Sequence, residues 1–471
     1  MSTHSLVTPR RVDGWTRRGL LFTFAAIVVV GGNYLLSASR PAGQATTEAG
    51  GGLAVPSAPS LDAGGGATGL GGLVPPSERV AFWERRVSAA GTKPSPLDLV
   101  YLADAYLDRS RASGDLGDLT RAQSALGKAA TVTVDPKGVE IRQALVAFSL
   151  HEWQLAEQLS NELLASDPTN LAALGVSGDV YLETGRTQAA HARYTALETL
   201  APSPAVWSRL GRLAFLTGDS NRAILLVSRA AASALDEGLA DAVAFYRFQL
   251  AELYRQTAQL DKAAAQYEGA LVALPSYLPA SVGLARTREA QGRRPEAIAL
   301  LEKAVARLPQ PETVAMLGDL YSLDGDTHRA EQTYALVDRI GQVAQVTGSV
   351  YERQLTIFDA DHDRDIAGAV ERAREELKVR PDIYGYDALA WALFKAGDLE
   401  NAAAAARQAL SLGTPDPRIA FHAGMIAAAQ GRTSEARSLL SLAVHGAAML
   451  PPLQVPVAVA ALATLEGGPA R

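Results

Sequence analysis

Residues 358–365 read FDADHDRD: four aspartates (Asp359, Asp361, Asp363, Asp365), one histidine and one arginine in eight positions of an alanine-rich chain. Carboxylates at that density could hold a divalent cation. A calcium loop of the EF-hand kind needs glycine at its sixth place and a bidentate glutamate at its twelfth. Started at Asp361 the chain offers Ile366 and Arg372, and started at Asp359 it offers Arg364 and Val370, so both frames fail. A transition metal wants several converging ligands, and no second histidine stands near His362. The segment reads as a solvated turn in which Asp363 or Asp365 caps the following helix. A metal-dependent regulator or enzyme built on 359–365 is the minor alternative.

Other chemistry finds little support. The seven histidines (His4, His151, His191, His328, His362, His422, His445) are scattered, there is no cysteine, and no GxSxG, Walker A or HExxH pattern occurs. Gly64 to Gly69 spells GxGxxG, but with no strand before it and no helix after it there is nothing to present a dinucleotide phosphate to a helix N-terminus. The chain is read as a non-enzyme with no catalytic, cofactor-binding or metal-ligating residues and no cofactor. A net charge of -6 without a basic stripe excludes nucleic acid as a partner.

Around this chemistry the chain divides sharply. Residues 1–18 are basic, with Arg10, Arg11, Arg17 and Arg18 ahead of an uncharged run, GLLFTFAAIVVVGGNYLL, at 19–36. That length just crosses a bilayer as a helix, and the upstream arginines hold the N-terminus in the cytoplasm. A retained transmembrane signal-anchor is the favoured reading. SAS at 37–39 or AGQA at 42–45 would suit a signal peptidase, which leaves a cleaved, exported periplasmic or extracellular protein as the alternative. Residues 37–77, rich in Gly, Ala and Pro, form a flexible, disordered linker.

Beyond Glu78 no convincing strand appears, and the helical pattern repeats itself. Ala122, Ala156, Ala190, Ala223, Ala263, Ala297, Ala330, Ala369, Ala402 and Ala436 mark the register, with seven of nine spacings equal to 33 or 34. Small residues there let two helices approach closely. Glycines at Gly185, Gly218, Gly292, Gly325, Gly397 and Gly431 close a first helix, Asp219, Asp326 and Asp398 cap a second, and Pro168, Pro202, Pro275, Pro309, Pro381 and Pro415 end the unit. Longer spacings imply extra loops near 112–119, 232–240 and 338–349. The unit resembles the tetratricopeptide repeat (TPR) family, carried by Gly178, Tyr181, Ala190, Tyr194, Leu197 and Pro202 in one repeat and by Gly318, Tyr321, Ala330, Tyr334 and Val337 in another. The expected fold is all-α: a solenoid of about ten TPR hairpins over 78–445, then a C-terminal cap and tail over 446–471.

The resemblance implies that places 2, 5, 9 and 12 of each first helix face a concave groove. Place 9 holds Asp179, Arg212, Glu252, Arg286 and Asp319, an alternation of sign in which neighbours could pair, and Arg255 and Glu289 stand at place 12. Toward the C-terminus the groove turns aromatic, with Tyr384, Asp387, Trp391, Phe421, His422 and Met425. That cluster is either a peptide hot spot or packing between the last two repeats. The Lys and Asn constellation of a carboxylate clamp is absent. The expected function is a membrane-tethered scaffold of a bacterial type, single-pass in the cytoplasmic membrane with its solenoid outside the cytoplasm, binding protein or peptide partners in its groove.

Overall fold

The computed structural model describes residues 74–133, 135–347 and 352–467. The expected membrane segment at 19–36, and the linker as far as residue 73, lie outside these residues. No helix among the described residues is long and apolar enough to cross a membrane.

All regular structure among the described residues is helical. A lone helix, α1 (Pro76–Ala89), leads into ten hairpins. The first three pair α2 (Pro96–Ser113) with α3 (Leu116–Ala130), α4 (Pro136–Ser149) with α5 (Trp153–Ser166), and α6 (Leu171–Glu183) with α7 (Thr187–Leu200). Hairpins four to six are α8 (Pro204–Leu216) with α9 (Ser220–Glu237), α10 (Ala240–Gln256) with α11 (Leu260–Ala273), and α12 (Leu278–Ala290) with α13 (Arg294–Arg307). Hairpins seven and eight are α14 (Pro311–Leu323) with α15 (Thr327–Thr347) and α16 (Glu352–Asp361) with α17 (Ile366–Val379). The last two are α18 (Ile383–Lys395) with α19 (Leu399–Ala409) and α20 (Pro417–Ala429) with α21 (Thr433–His445). A 3-10 turn at Ala447–Met449 and a final helix, α22 (Gln454–Leu465), complete the chain.

Local chemistry sets these boundaries. Asp219, Asp326 and Asp398 each accept the backbone N–H three residues on, at 2.9, 3.0 and 3.2 Å, which satisfies donors that a helix start leaves open. The six expected closing glycines all take positive φ, between 74° and 93°. Among the described residues the extra length goes mainly into helices, α2 and α9 running to 18 residues, α10 to 17 and α15 to 21, with short turns left at 114–115 and 238–239, because no proline interrupts the added stretches. Residues 348–349 of the third expected loop lie outside the described residues.

The alanine register is the seam of every hairpin: all ten alanines are at most 3% exposed. The close approach is sharpest beside tyrosines. A Cβ on Gly178 would lie 2.6 Å from the Tyr194 ring, and one on Gly318 2.5 Å from the Tyr334 ring.

The hairpins wind into a superhelix tight enough to meet itself. The turn before α18 reaches the end of α6, where Arg380 Nε donates to the Glu183 carbonyl at 3.3 Å. The turn before α20 reaches the end of α8, where the Thr414 hydroxyl donates to the Leu216 carbonyl at 2.5 Å. Apolar packing follows the same seam, since Ile383, Ala409 and Ile419 share one core cluster with Val180 and Leu213. At the other end Arg79 of α1 bridges Asp108 at 3.0 Å and Asp241 of α10 at 3.6 Å. Hairpin 3 thus meets hairpin 9, and hairpin 4 meets hairpin 10.

Candidate partner-binding groove

The first helices line the inner face, and the residues at their ninth place are largely occupied. Each acid in that row accepts the phenol of a tyrosine 15 positions later in its own hairpin: Tyr194 to Asp179 at 2.8 Å, Tyr334 to Asp319 at 2.9 Å, and Tyr267 to Glu252. Where the row holds Arg212 and Arg286, the same spacing falls on Val227 and Leu301. Every member also has a charged partner off the row. Arg209 forks onto Asp179 at 2.8 and 2.9 Å, Arg255 holds Glu252 at 2.7 Å, and Arg286 holds Glu312 at 2.8 Å. Arg212 pairs with Glu183, and Asp319 with His362 at 2.8 Å. The expected neighbour-to-neighbour ladder gives way to pairs made along and between helices.

Glu183 is held by two arginines from different hairpins. Its side chain is fully buried between Arg212 and Arg380. Burial would raise its pKa, but the two guanidinium groups dominate and hold it at about 2. Burial likewise works against Glu252, which Arg255 and Arg286 nevertheless keep below the usual glutamate range. Glu289 closes onto Arg294 at 2.9 Å beside the turn of its own hairpin, and the Tyr384 ring packs on the core of hairpins 3 and 4.

The C-terminal aromatic cluster is packing. Phe421, His422, Asp387 and Trp391 are all buried, with Met425 half-buried against them. Trp391 stacks on His422 with centroids 4.4 Å apart and on Phe394 at 5.1 Å, and its indole N–H donates to Asp361 at 2.7 Å. His422 Nδ1 lies 2.9 Å from Asp387. Of the two readings open from sequence, contact between hairpins is the one realised, because hairpins 8 and 10 and α22 close over these side chains.

Part of the groove is filled by the chain itself. The turn at Ala447–Met449 rests against α10, α12 and α20, and Arg255 Nη1 donates to the Ala448 carbonyl at 3.2 Å. Beside it a small, open cleft is floored by Phe248, Pro279 and Val282 and edged by Glu252, Arg286, Glu312 and Gln354. Gln310 also lines it, and its amide nitrogen is buried without a hydrogen-bond partner among the described residues. Arg286 holds the Glu312 carboxyl below the usual range. The two acids of the lining are already held, Glu312 by Arg286 and Glu252 by Arg255 from outside the cleft, so the Gln310 amide is the group suited to a segment that offers a carbonyl.

The position rule that named Arg286 also reaches Pro279 and Glu312 at place 2 and Phe248, Val282 and Gln354 at place 5. The expected groove residues, charged at the ninth and twelfth places upstream and aromatic downstream, do not include these five. Gln310, in the turn before α14, carries no such signal.

Comparison with known proteins agrees with this architecture. The tetratricopeptide repeat family pattern matches residues 176–240, 248–312 and 388–449. The chain is a member of the tetratricopeptide repeat family. No curated protein matches its sequence. Among solved structures it is similar to the human IFIT1 dimer with PPP-AAAA, at 14% identity over 79% of this chain and 95% of that one, with a TM-score of 0.44. It is similar to the APC/C hetero-tetramer Cut9-Hcn1, at 15% identity over 82% and 81% of the two chains and a TM-score of 0.40. It is also similar to PilW, a widely conserved type IV pilus biogenesis factor, at 21% identity over 44% and 94% and a TM-score of 0.35.

In TPR terms the FDADHDRD segment ends the first helix of repeat 8 and starts its second. Because 358–361 is still helical, Phe358, Asp361 and His362 share the inward face, and the turn is less solvated than its composition implies. Asp361 accepts from Trp391 and, at 2.6 Å, from Gln454. Asp359 pairs with Arg372, Asp363 with Lys395 at 2.6 Å, and Asp365 caps α17 through Gly368 N–H at 3.0 Å. Arg372 spans Asp359 and Asp365, at 3.3 Å from the latter, while Asp361 and Asp363 turn away to Trp391 and Gln454 and to Lys395. No group of three or more His, Asp or Glu among the described residues is placed to hold a metal.

Proposed function

We propose that this TPR protein is an interaction scaffold tethered to the outer face of the cytoplasmic membrane, and that it takes a protein or peptide partner at the cleft lined by α10, α12, α14 and α16. The TPR fold is typically a non-catalytic interaction scaffold. The observation that carries the reading is the cleft itself: an apolar floor, acids at its edge already paired, and a buried amide at Gln310 without a partner among the described residues, on an inner face otherwise closed by ion pairs. The tether rests on the uncharged run at 19–36 behind four arginines and on the Gly-, Ala- and Pro-rich stretch after it.

The absence of cysteine makes the test clean. Glu312→Cys at the cleft edge and Val272→Cys on the convex side, each carrying a photo-crosslinker, are compared in intact cells. Val272 is 84% exposed and serves as the outward control. A partner trapped from 312 and not from 272, and lost in an Arg286→Glu background, supports the cleft. Equal trapping from both positions, or trapping from 272 alone, removes it. Labelling of Ser57→Cys by a membrane-impermeant maleimide in intact cells tests the outward orientation. Purified protein lacking residues 1–40 would favour the exported, cleaved form.

A further inference from the structure

Among the histidines, His362 has a distinctive setting. Nδ1 lies 2.8 Å from the Phe358 carbonyl oxygen, and Nε2 lies 2.8 Å from Asp319 Oδ1. A carbonyl and a carboxylate only accept, so both ring nitrogens must carry a proton for both contacts to be hydrogen bonds. A neutral imidazole would set a lone pair against one of these oxygens. Asp319 Oδ1 also takes the Tyr334 phenol, which keeps that oxygen an acceptor.

We infer that His362 is a proton-operated latch: as imidazolium it ties the end of α16 to α14, and loss of one proton releases that tie and loosens the seating of the C-terminal turn in the groove. The link to the C-terminus is the adjacent residue. Asp361 takes the Trp391 indole of α18 and the Gln454 amide, and Gln454 opens α22 directly after the segment that meets Arg255. One helix end therefore holds repeat 7, repeat 9 and the C-terminal segment together.

The groups facing His362 favour the charged form. From α14 comes Asp319; from α15 comes the Tyr334 ring, 4.7 Å away between centroids; its own helix supplies Phe358 at 4.6 Å and the Asp361 carboxylate. Arg364 is the nearby cation, lying over Tyr334 and Phe358 and bound to Asp338 at 3.7 Å. Beyond Asp361, α20 contributes His422 and Arg418. Burial lowers the His362 pKa, but the Asp319 bond and charge and the Phe358 carbonyl outweigh it and lift it above 6.5. For a raised histidine, stability is complete below 6.5 and is lost as the pH rises through the folded value. The latch is shut in acid and opens in base.

The test uses the full chain with labelled histidine. Nitrogen chemical shifts should show His362 protonated on both nitrogens at pH 6 and titrating above 6.5, and falling back toward 6.5 in Asp319→Asn. Hydrogen exchange corrected for its intrinsic pH dependence should rise at 358–366 and 446–454 as the pH passes that titration, by at most about tenfold per pH unit. The same exchange should lose its pH dependence in Asp319→Asn, which keeps an acceptor for Tyr334, and in His362→Gln. A singly protonated His362 at pH 6 overturns the latch. So does exchange at 446–454 that ignores pH in the wild type. Neither readout involves partner crosslinking, so the latch and the cleft can fail separately.

Discussion

Arg380 and Arg212 grip the two oxygens of one buried carboxylate, Glu183, and Arg380 does so from 197 positions away in the chain. Arg380→Ala leaves Glu183 half-paired in the closed seam. A loss of about 3–5 kcal/mol is expected on urea unfolding, because a buried charge is stranded. A loss under about 1 kcal/mol would mean that the seam is wet and the superhelix open.

The same pair predicts an acid response. A carboxyl held near 2 adds stability that is complete above 4.5 and disappears as the pH falls toward 2. The wild type should therefore lose stability across that window more steeply than Glu183→Gln, as read from melting temperature against pH. Parallel curves would remove Glu183 from the account.

Gly283 packs directly under Tyr267. An added Cβ would lie 2.3 Å from the ring, so Gly283→Ala should cost roughly 1–3 kcal/mol by overpacking even though alanine is the better helix former. Gly127, with nothing within 4 Å of its added Cβ, is the control: Gly127→Ala should be neutral or stabilising by thermal melting. Equal effects at the two sites would contradict the packing described.

Asp361 joins Trp391 and Gln454, so Asp361→Ala should cost about 1–3 kcal/mol by orphaning two buried donors, and Asp361→Asn less, since its carbonyl still accepts. Calcium or zinc should leave the melting temperature unchanged, because the neighbouring carboxylates are already taken, Asp359 and Asp365 by Arg372 and Asp363 by Lys395. A metal-dependent rise abolished by Asp361→Asn would restore a metal site.

Much of the hairpin architecture was legible because each hairpin is local. The alanine register, the closing glycines and the capping aspartates act within a few residues of themselves, so their types and spacing specify helix, turn and helix without knowledge of the whole. The bond between an acid at the ninth place and a tyrosine 15 positions on is legible too, since the spacing recurs in Asp179 with Tyr194, Glu252 with Tyr267 and Asp319 with Tyr334.

Which residues face a partner was a different matter. Trp391, Phe421 and His422 have the composition of a hot spot and the burial of a core, and only the position of α22 and repeat 8 separates the two. The sequence does not foretell the lengthened α2, α9, α10 and α15, because a longer spacing does not say whether added residues loop out or extend a helix.

The chain's order of residue types determined ten stacked hairpins, their boundaries and the faces they bury. Tertiary structure alone decided that the superhelix closes, bringing Glu183 to Arg380 and Leu216 to Thr414, and that its own C-terminal turn enters the groove. The reason is accumulation: each repeat adds a small rotation set by its interface with the next. Whether six such steps end in open solvent or against an earlier repeat is a property of their sum, which no single stretch of sequence encodes.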